Sequence, residues 1–396
     1  MRILHVVTAF PRFPGDVISP WLVELLKRLQ ARGHEIEVFT SAYKGGGGSE
    51  FAGIPVHRFR YFPARGEDLT HDEGAADRMG RSARHKILPA FYVAAGLWAI
   101  WRLCRARRYD IVHVHWPLPH ALFGWVAQRA CGARLVTTWY GIELRWVKSS
   151  LRFLKGFVRW ALRISDQVVA ISSATAREIA SLAAVPVRVI PYGIGFPEIP
   201  PANELSLAGR PFTILFVGGL LERKGVTHLV DAVRRLPQRL RVKLILVGEG
   251  PDLPDLEAQA RKGGIEDRVE FRGQVSQDAL HEAYASADVF VLPAVVDARG
   301  DTEGLGVVLL EAMNYRLPVI GSSLGGITDI IHDEETGLLV PQRDPQALAV
   351  ALQRIADDSV FAARLAEAGY RYAQEHFSWP VITARWEECY AAAIQK

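Results

Sequence analysis

Short apolar runs alternate with helical patterns along the whole chain, and this alternation restricts the possible folds more than any other feature of the sequence. It is typical of βαβ units, in which parallel strands are joined by crossover helices. The candidate strands form two series of six. The first series is 3–7, 35–39, 111–114, 135–138, 168–171 and 187–190, and the second is 213–217, 243–247, 269–271, 289–292, 318–321 and 338–340.

A segment with three prolines, residues 196–209, separates the two series and is typical of a linker. The chain has 396 residues, which is more than one hydrophobic core usually spans. We therefore predict an α/β protein with an N-terminal domain over 1–195 and a C-terminal domain over 210–378, each built on a parallel sheet. The two domains are expected to face each other across a cleft. Residues 379–396 are expected to form a helix that crosses back to the N-terminal domain.

The composition excludes several classes of protein. With 49% hydrophobic and 23% charged residues the chain is not disordered, and a net charge of +4 gives little support to a nucleic-acid partner. The cysteines number three, too few and too far apart for a disulfide framework, which favours a reducing cytoplasm. The longest apolar stretch, residues 87–101, is shorter than the roughly 20 residues that span a bilayer, so no transmembrane helix is predicted.

The positive charge is concentrated in the first half of the chain, since residues 1–200 carry 27 Lys and Arg but 15 Asp and Glu. Between Glu143 and Asp166 there is no acidic residue, and basic residues recur every three or four positions beside apolar and aromatic ones. On one helix they form a stripe that suits an anionic membrane surface. The alternative is a domain helix with a solvated basic face. The predicted membrane-surface residues are Arg145, Lys148, Arg152, Lys155, Arg159 and Arg163.

The most informative segment is a loop with Glu303, Gly304 and Gly306 that leads into a helix beginning near Val307. The free amides and the positive dipole end of such a helix suit a diphosphate. Glu303 and Glu311 frame the helix start, and because carboxylates repel phosphate they suit sugar and ribose hydroxyls instead. The pattern indicates a nucleotide-sugar site. A capping loop with an exposed helix glutamate is the alternative if this segment stood alone.

Other segments match the same chemistry. Lys224 follows a predicted strand and opens the next helix, where a cation can meet the same diphosphate. Gly248, Gly250 and Gly273 mark strand ends of the kind that border the crevice of an open α/β sheet.

Taken together, these motifs resemble the family 4 retaining glycosyltransferases of the GT-B fold, and the resemblance covers nearly the whole chain. It implies two Rossmann-like doubly wound parallel-sheet domains facing a central cleft, with the donor held mostly by the C-terminal domain and the acceptor by the N-terminal one. It also implies metal-independent catalysis without a cofactor, the UDP- or GDP-linked sugar being a substrate. The segments that carry it are Arg-Gly-His-Glu at 32–35, Asp-Ile-Val-His-Val-His at 110–115, Glu-Arg-Lys-Gly at 222–225, Gly-Glu-Gly-Pro at 248–251, Glu303 to Glu311, and Gly-Gly-Ile at 325–327.

By that resemblance Lys224 neutralises the diphosphate, Glu311 binds the ribose hydroxyls and Glu303 holds hydroxyls of the donor sugar. Lys224, Glu303 and Tyr140 are the predicted catalytic residues. The predicted donor-binding set is Gly15, Gly219, Arg223, Lys224, Gly273, Glu303, Gly304, Leu305, Gly306, Val307 and Glu311. The predicted acceptor-side residues are His115, Trp116 and His120.

Two positions depart from the family pattern. Gly219 stands where the family commonly has an arginine, and either Arg223 or Arg12 is a candidate to supply the missing charge. Tyr140 stands where the family often has a histidine, so either an active-site role or simple packing is open to it.

We therefore expect a retaining hexosyltransferase that moves a sugar from a nucleotide sugar to a glycan or lipid-linked acceptor in polysaccharide or glycolipid biosynthesis. The expected location is the cytoplasm or the inner face of the membrane as a peripheral protein, with no nucleic acid as partner. The departures at Gly219 and Tyr140 leave a catalytically impaired nucleotide-sugar-binding subunit as an alternative, and a sugar-nucleotide epimerase on the same fold is another.

Overall fold

The computed structural model of the chain describes residues 1–16, 18–71, 83–148, 151–195 and 209–396. The chain forms two compact units. The N-terminal unit comprises Met1–Ile171, Thr175–Gly193 and Ile382–Lys396, and the C-terminal unit comprises Ser172–Ala174 and Ile194–Val381. The predicted linker, residues 196–209, lies outside the described residues except for Gly209.

The N-terminal unit is built on an eight-stranded sheet with the order β3-β4-β2-β1-β5-β6-β7-β8. Every pairing in it is parallel except the one between β3 and β4. The strands are β1 (Arg2–Val6), β2 (Glu35–Ser41), β3 (Glu50–Phe51), β4 (Ile54–Phe59), β5 (Ile111–His115), β6 (Arg134–Trp139), β7 (Gln167–Ala170) and β8 (Val187–Val189). The helices of this half of the chain are α1 (Pro20–Ala31), α2 (Ala83–Ala106), α3 (Pro117–Cys131), α4 (Ile142–Lys148), α5 (Lys155–Ile164) and α6 (Ser173–Ala180).

The C-terminal unit is built on a six-stranded sheet, all parallel, with the order β11-β10-β9-β12-β13-β14. This is the strand order of a Rossmann fold, in which ligands bind at the carboxyl ends of the two central strands. The strands are β9 (Phe212–Val217), β10 (Val242–Val247), β11 (Val269–Gly273), β12 (Val289–Leu292), β13 (Val319–Ser322) and β14 (Leu338–Val340). The helices are α7 (Val226–Arg235), α8 (Leu253–Lys262), α9 (Gln277–Ser286), α10 (Val307–Asn314), α11 (Pro345–Asp357), α12 (Ser359–Phe377) and α13 (Trp379–Ile394).

The predicted fold class, two α/β domains on parallel sheets, is confirmed. All twelve predicted strands are present, and β3 and β4 extend the first sheet. The strands were recognisable because parallel sheets are covered by helices on both faces, so the central strands are almost entirely apolar. In β9, for example, five of the six residues are buried.

The predicted basic stripe does not lie on a single helix. Helix α4 ends at Lys148 and α5 begins at Lys155, with a 3-10 turn over Arg152–Leu154 between them. Residues 149 and 150 lie outside the described part of the chain. Val147 on α4 and Val158 on α5 pack into the same core cluster on the two sides of this break.

The basic side chains of this segment also differ in their surroundings. Arg145 and Lys148 reach the carboxylate of Glu178 over 3.7 and 3.5 Å. The Nε of Arg159 donates to the carbonyl oxygen of Leu182 over 3.0 Å. The Nε of Arg152 likewise donates to the carbonyl oxygen of Lys148 over 3.0 Å, so four of the six predicted cations contact the protein itself. Lys155 and Arg163 are exposed.

The N-terminal unit also contains the long apolar helix α2. Residues Arg84–Ala106 of this helix are long and apolar enough to cross a membrane, by length and composition only. The sequence analysis predicted no transmembrane helix. The difference arises because the helix continues on both sides of the apolar stretch 87–101. One face of α2 is packed in the domain core, where Leu88 and Tyr92 are 1% and 3% exposed.

Candidate functional site

Two loops meet at the carboxyl end of the C-terminal sheet, one after β9 and one after its neighbour β12. Gly225 makes this approach possible, because its φ is 67° and a Cβ there would lie 2.0 Å from the carbonyl oxygen of Pro293. The amide of Val295 donates to the carbonyl oxygen of Arg223 over 2.9 Å. The two loops are therefore fixed against each other where doubly wound sheets bind their ligands.

Lys224 and Glu303 form an ion pair between these loops. The Nζ of Lys224 lies 2.5 Å from Oε2 of Glu303, and Nη1 of Arg223 lies 3.4 Å from the same oxygen. Burial favours the neutral carboxyl, but the charge and hydrogen bond of Lys224, helped by Arg223, outweigh it and hold the pKa of Glu303 below its ordinary value. Glu303 is therefore an anion that holds Lys224 in place, and the two side chains are only 13% and 11% exposed.

The loop that carries Glu303 rests on the backbone of Gly325 and Gly326. A Cβ on Gly325 would lie 2.4 Å from the carbonyl oxygen of Glu303, and one on Gly326 would lie 2.2 Å from that of Gly304. The two glycines of the Gly-Gly-Ile segment therefore support the loop because, without side chains, their backbone can lie directly against it.

Helix α10 begins directly after this loop, as predicted. Gly306, with a φ of 93°, precedes Val307, the first residue of the helix. The main chain over 304–307 therefore turns into a helix start whose amides and dipole suit an anion. Leu305 is 2% exposed, so its side chain is packed in the core and not available to a ligand.

Glu311, about one turn into α10, lines a cavity of about 350 Å³. The hydroxyl of Tyr284 donates to Oε2 of Glu311 over 2.9 Å, and the rings of Tyr284 and Tyr315 stack with centroids 5.0 Å apart. Burial raises the pKa of Glu311, and the hydrogen bond from Tyr284 opposes this shift. The other residues that line the cavity are Ile194, Gly195, Gln277, Leu280, His281 and Asn314.

Tyr284 is a site residue that the sequence did not indicate. It lies on α9, 27 residues before Glu311, and only the packing of α9 beside α10 brings the two side chains together. No local motif marks such a pairing.

The predicted strand-end glycines allow close backbone packing. A Cβ on Gly248 would lie 2.1 Å from the carbonyl oxygen of Gly218, and the amide of Gly248 donates to the carbonyl oxygen of Gly273 over 2.8 Å. Gly219 differs, because a Cβ there would meet Leu221 at an ordinary 3.5 Å and its φ is outside the left-handed region. Gly219 is therefore compatible with a side chain, and the fold does not explain why arginine is absent.

In the N-terminal unit, Tyr140 follows β6 and stacks on Trp116, which follows β5, with ring centroids 4.1 Å apart. The hydroxyl of Tyr140 lies 2.7 Å from Nδ1 of His115. Burial, with Tyr192 and Glu143 nearby, raises the pKa of Tyr140 well above its ordinary value. Tyr140 is 5% exposed and its hydroxyl has a partner. These surroundings are those of a packed residue, and simple packing is one of the two roles that the sequence left open.

The expected acceptor-side histidines are not on an accessible surface. His115 is fully buried, and its two ring nitrogens contact Tyr140 and His5. His120 is 2% exposed, with ring nitrogens 2.8 Å from the carbonyl oxygen of Trp116 and 2.9 Å from the hydroxyl of Tyr92. In this structure both imidazoles are therefore held by protein partners. Trp116 alone of the three is part-exposed.

His5, His113 and His115 form a buried cluster whose ligand atoms all lie within 4.8 Å of one another. Burial lowers the pKa of all three, that of His5 to about 3. The two ring nitrogens of His113 contact the hydroxyls of Thr138 and Tyr390 over 2.7 and 2.9 Å. Protein hydroxyls therefore hold His113 and His115, whereas Nδ1 of His5 contacts His115 over 3.1 Å and its Nε2 has no partner among the described residues.

Glu143 is a second residue that the sequence gave no reason to single out. Its Oε1 accepts from the amide of Tyr140 over 2.8 Å, and Oε2 has no partner among the described residues. Burial raises the pKa of Glu143 to about 7, although hydrogen bonds from the amides of Tyr140 and Glu143 and the charge of Arg145 oppose this shift. It is a buried carboxyl that fixes the turn after β6.

Gly15, a predicted donor-binding residue, lies in an N-terminal loop, is exposed and has a φ of 93°. Arg12 in the same loop pairs with Asp16, Nε to Oδ2 over 2.6 Å. Burial alone would raise the pKa of Asp16, but the hydrogen bonds and charge of Arg12 lower it. The guanidinium of Arg12 is therefore held by Asp16, and it also lies 4.9 Å from the ring centroid of Tyr43.

Two family models match the chain in sequence. The model described as "Glycosyl transferase 4-like domain" matches residues 18–193, and that described as "Glycosyl transferases group 1" matches residues 202–372. One covers the N-terminal unit and the other the C-terminal unit over most of their length.

Relatives span the whole chain. One is the GDP-mannose-dependent alpha-(1-6)-phosphatidylinositol monomannoside mannosyltransferase of Mycobacterium tuberculosis, 28% identical over 97% of this chain and 96% of its own. Another is the N-acetyl-alpha-D-glucosaminyl L-malate synthase of Bacillus anthracis, 26% identical over 98% of this chain and 97% of its own. Among solved structures, HepE of Anabaena in complex with UDP has a TM-score of 0.74 with 20% identity, covering 99% of this chain and 100% of its own.

Proposed function

Because the chain belongs to the family 4 glycosyltransferases of the GT-B fold, we propose that it is a retaining, metal-independent hexosyltransferase of glycolipid or polysaccharide biosynthesis. It moves a sugar from a nucleotide sugar to a glycan or a lipid-linked acceptor. The observation that carries this proposal is the Lys224–Glu303 pair beside the start of α10. At this place Lys224 and the free amides of the helix start can bind a diphosphate, and the carboxylate of Glu303 can bind sugar hydroxyls.

In this proposal the C-terminal unit binds the donor. Lys224 and the amides over 304–307 hold the diphosphate, Glu303 holds donor-sugar hydroxyls, and Glu311 with Tyr284 holds the ribose. Both UDP- and GDP-linked donors are consistent with the comparisons, since a structure of HepE holds UDP-glucose and the mycobacterial relative uses GDP-mannose.

Arg223 is the better candidate for the charge that the family places at position 219. Its guanidinium is 3.4 Å from Glu303 and adjoins Lys224 in the chain. Arg12 is paired with Asp16 instead. We assign the second diphosphate contact to Arg223.

The proposed reaction is a front-face displacement. The acceptor hydroxyl attacks the anomeric carbon on the face from which the diphosphate leaves, so the new glycosidic bond keeps the configuration of the broken bond. The departing phosphate oxygen takes the hydroxyl proton. The protein lowers the barrier by stabilising the negative charge that develops on the leaving group and by orienting the two substrates.

The proposal is tested by incubating the protein with UDP- and GDP-sugars, with and without glycan and lipid-linked acceptors. Release of nucleoside diphosphate should be slow alone and faster with the correct acceptor, the product should keep the donor's anomeric configuration by NMR, and EDTA should not change the rate. A donor that raises the melting temperature but is never turned over would instead indicate a binding subunit. An inverted product would contradict retention.

Substitution of Gly326 by alanine tests the supporting role of the glycine pair. We expect Gly326→Ala to weaken nucleoside diphosphate binding at least about tenfold, because the new Cβ displaces the backbone at Gly304. Gly156→Ala on α5, where a Cβ meets nothing within 4 Å, is the matched control and should bind normally. Calorimetric titration with UDP and GDP measures both, and equal affinities would refute the role.

A further inference from the structure

Helix α2 presents four large apolar side chains to solvent. Ile87, Phe91, Trp98 and Trp101 are 59%, 49%, 60% and 48% exposed. They are spaced four, seven and three residues apart, so they lie on one side of the helix. We call this row the α2 stripe.

The opposite face of α2 keeps the stripe exposed. Leu88, Tyr92, Ile100 and Cys104 are each 3% exposed or less in the core of the N-terminal unit. A Cβ on Gly96 would lie 2.3 Å from the ring of Phe123, so the helix packs closely there. Rotating or withdrawing α2 would expose this core face, and the stripe therefore stays at the surface.

The stripe is large for an exposed apolar surface. An aromatic side chain offers about 150–250 Å², so half of three rings and part of Ile87 give on the order of 400 Å². Contiguous apolar patches of this size on monomeric proteins usually mark an interaction site.

Basic residues accompany the stripe, and acidic ones do not. Helix α2 contains no Asp or Glu, while Arg102 and Arg105 extend the stripe at its C-terminal end. The guanidinium of Arg102 lies 5.5 Å from the ring of Trp98. No carboxylate in the described ranges pairs with Arg102 or Arg105. The combination of interfacial tryptophans with unpaired cations matches an anionic lipid surface.

A second copy of the chain fits this surface less well. Two α2 stripes packed against each other would bring the cations of both helices together with no acid between them. A bilayer of anionic lipid neutralises the cations and receives the apolar side chains at once.

We propose that the α2 stripe is a membrane-docking surface and that α2 lies in the plane of an anionic bilayer. Ile87, Phe91, Trp98 and Trp101 enter the boundary between headgroups and acyl chains, and Arg102 and Arg105 contact headgroup phosphates. This moves the membrane contact from the basic segment 145–163, where the sequence placed it, to α2. The docking needs no donor or acceptor, so it is independent of the proposed transfer reaction.

Vesicle flotation tests the proposal. The wild-type chain should float with phosphatidylcholine vesicles that contain phosphatidylglycerol, and should float less without it or at high salt. Trp98→Gln/Trp101→Gln should reduce the bound fraction at least about tenfold. Arg102→Gln/Arg105→Gln should weaken binding roughly fivefold per residue on anionic vesicles.

Two matched variants locate the contact. Val360→Gln changes a 79% exposed side chain of the C-terminal unit, and Phe153→Gln changes a 78% exposed one in the basic segment. Both should bind vesicles like the wild type. If Phe153→Gln abolishes binding and the tryptophan variant does not, the docking surface is the basic segment and the proposal is overturned.

Two further measurements keep the result specific. A melting temperature equal to that of the wild type shows that the α2 variants fold. An equal rise of the melting temperature on addition of nucleoside diphosphate shows that they retain the C-terminal site. A wild-type protein that does not float but dimerises in sedimentation experiments, with the dimer lost in the tryptophan variant, would overturn the proposal in favour of self-association.

Discussion

Replacing Lys224 by alanine should lower turnover of the nucleotide sugar by on the order of 10²–10³-fold and weaken nucleoside diphosphate binding. The side chain is 11% exposed and is the principal cation beside the start of α10. Its loss removes the charge that stabilises the departing diphosphate, and Arg223, at 3.4 Å from Glu303, compensates only in part. Steady-state release of nucleoside diphosphate measures the turnover, and calorimetric titration measures the affinity.

The substitution Glu303→Gln separates the two members of the pair. Without the carboxylate, the ammonium group of Lys224 is free to pair with a phosphate, so nucleoside diphosphate should bind several-fold more tightly. Turnover should fall because the contact with the donor-sugar hydroxyls is lost. If Glu303→Gln instead weakens nucleoside diphosphate binding as much as Lys224→Ala does, Glu303 has no separate role at the sugar.

A control is available in the same unit. Lys243 pairs with Glu270 over 2.6 Å at the amino end of the sheet, with both side chains more than a third exposed. Lys243→Ala removes a similar ion pair away from the site and should leave affinity and turnover unchanged. An equal loss in the two lysine variants would show that the effect of Lys224→Ala is general destabilisation, and full activity of Lys224→Ala would contradict its assignment.

The donor loop could be predicted because its chemistry is local in sequence. Glu303, Gly306 and Val307 lie within five residues, and the break from loop to helix follows from glycine and helix-start rules. The supporting contacts are not local. Gly225 contacts Pro293 and Gly326 contacts Gly304 across loops that follow different strands, so the short motifs that contain these glycines do not show which backbone they meet.

The N-terminal unit shows where sequence periodicity misleads. The spacing of Arg145 to Arg163 fits a continuous helix, but the segment forms two short helices whose apolar residues pack into one core cluster. The sequence predicts His120 on the acceptor side, yet the hydroxyl of Tyr92 on α2 contacts its ring from inside the core. In both cases packing from a distant segment decides the outcome.

The N-terminal unit should unfold at mildly acidic pH. His5, His113, His115 and His120 are 2% exposed or less, and burial lowers the pKa of each, to about 3 for His5 and about 4 for His120. The native state therefore keeps them neutral, while the unfolded chain binds protons once the pH falls below about 6.5. Each group then costs about 1.4 kcal/mol of stability per pH unit until its native pKa is reached.

Glu143 acts in the opposite direction. Its native pKa of about 7 is raised by burial, so the folded state binds this proton more tightly than the unfolded one, and the associated stability increases as the pH falls from 7. The stability gained from this one carboxyl offsets only part of the stability lost through the four histidines. The net loss between pH 7.5 and pH 5 is on the order of 5 kcal/mol, comparable with the stability of a whole domain.

Urea unfolding followed by tryptophan fluorescence measures this loss, because nine of the ten tryptophans lie in the N-terminal unit. We expect the midpoint to fall steeply between pH 7 and pH 5. His120→Gln, which keeps a donor and an acceptor for Tyr92 and Trp116, should make the decline shallower by about 1.4 kcal/mol per pH unit. His332→Gln is the matched control, because its side chain is 46% exposed in the C-terminal unit. A midpoint that does not move between pH 7.5 and pH 5 would mean that the buried histidines are already charged or accessible in the native protein, in contradiction to the cluster around His5.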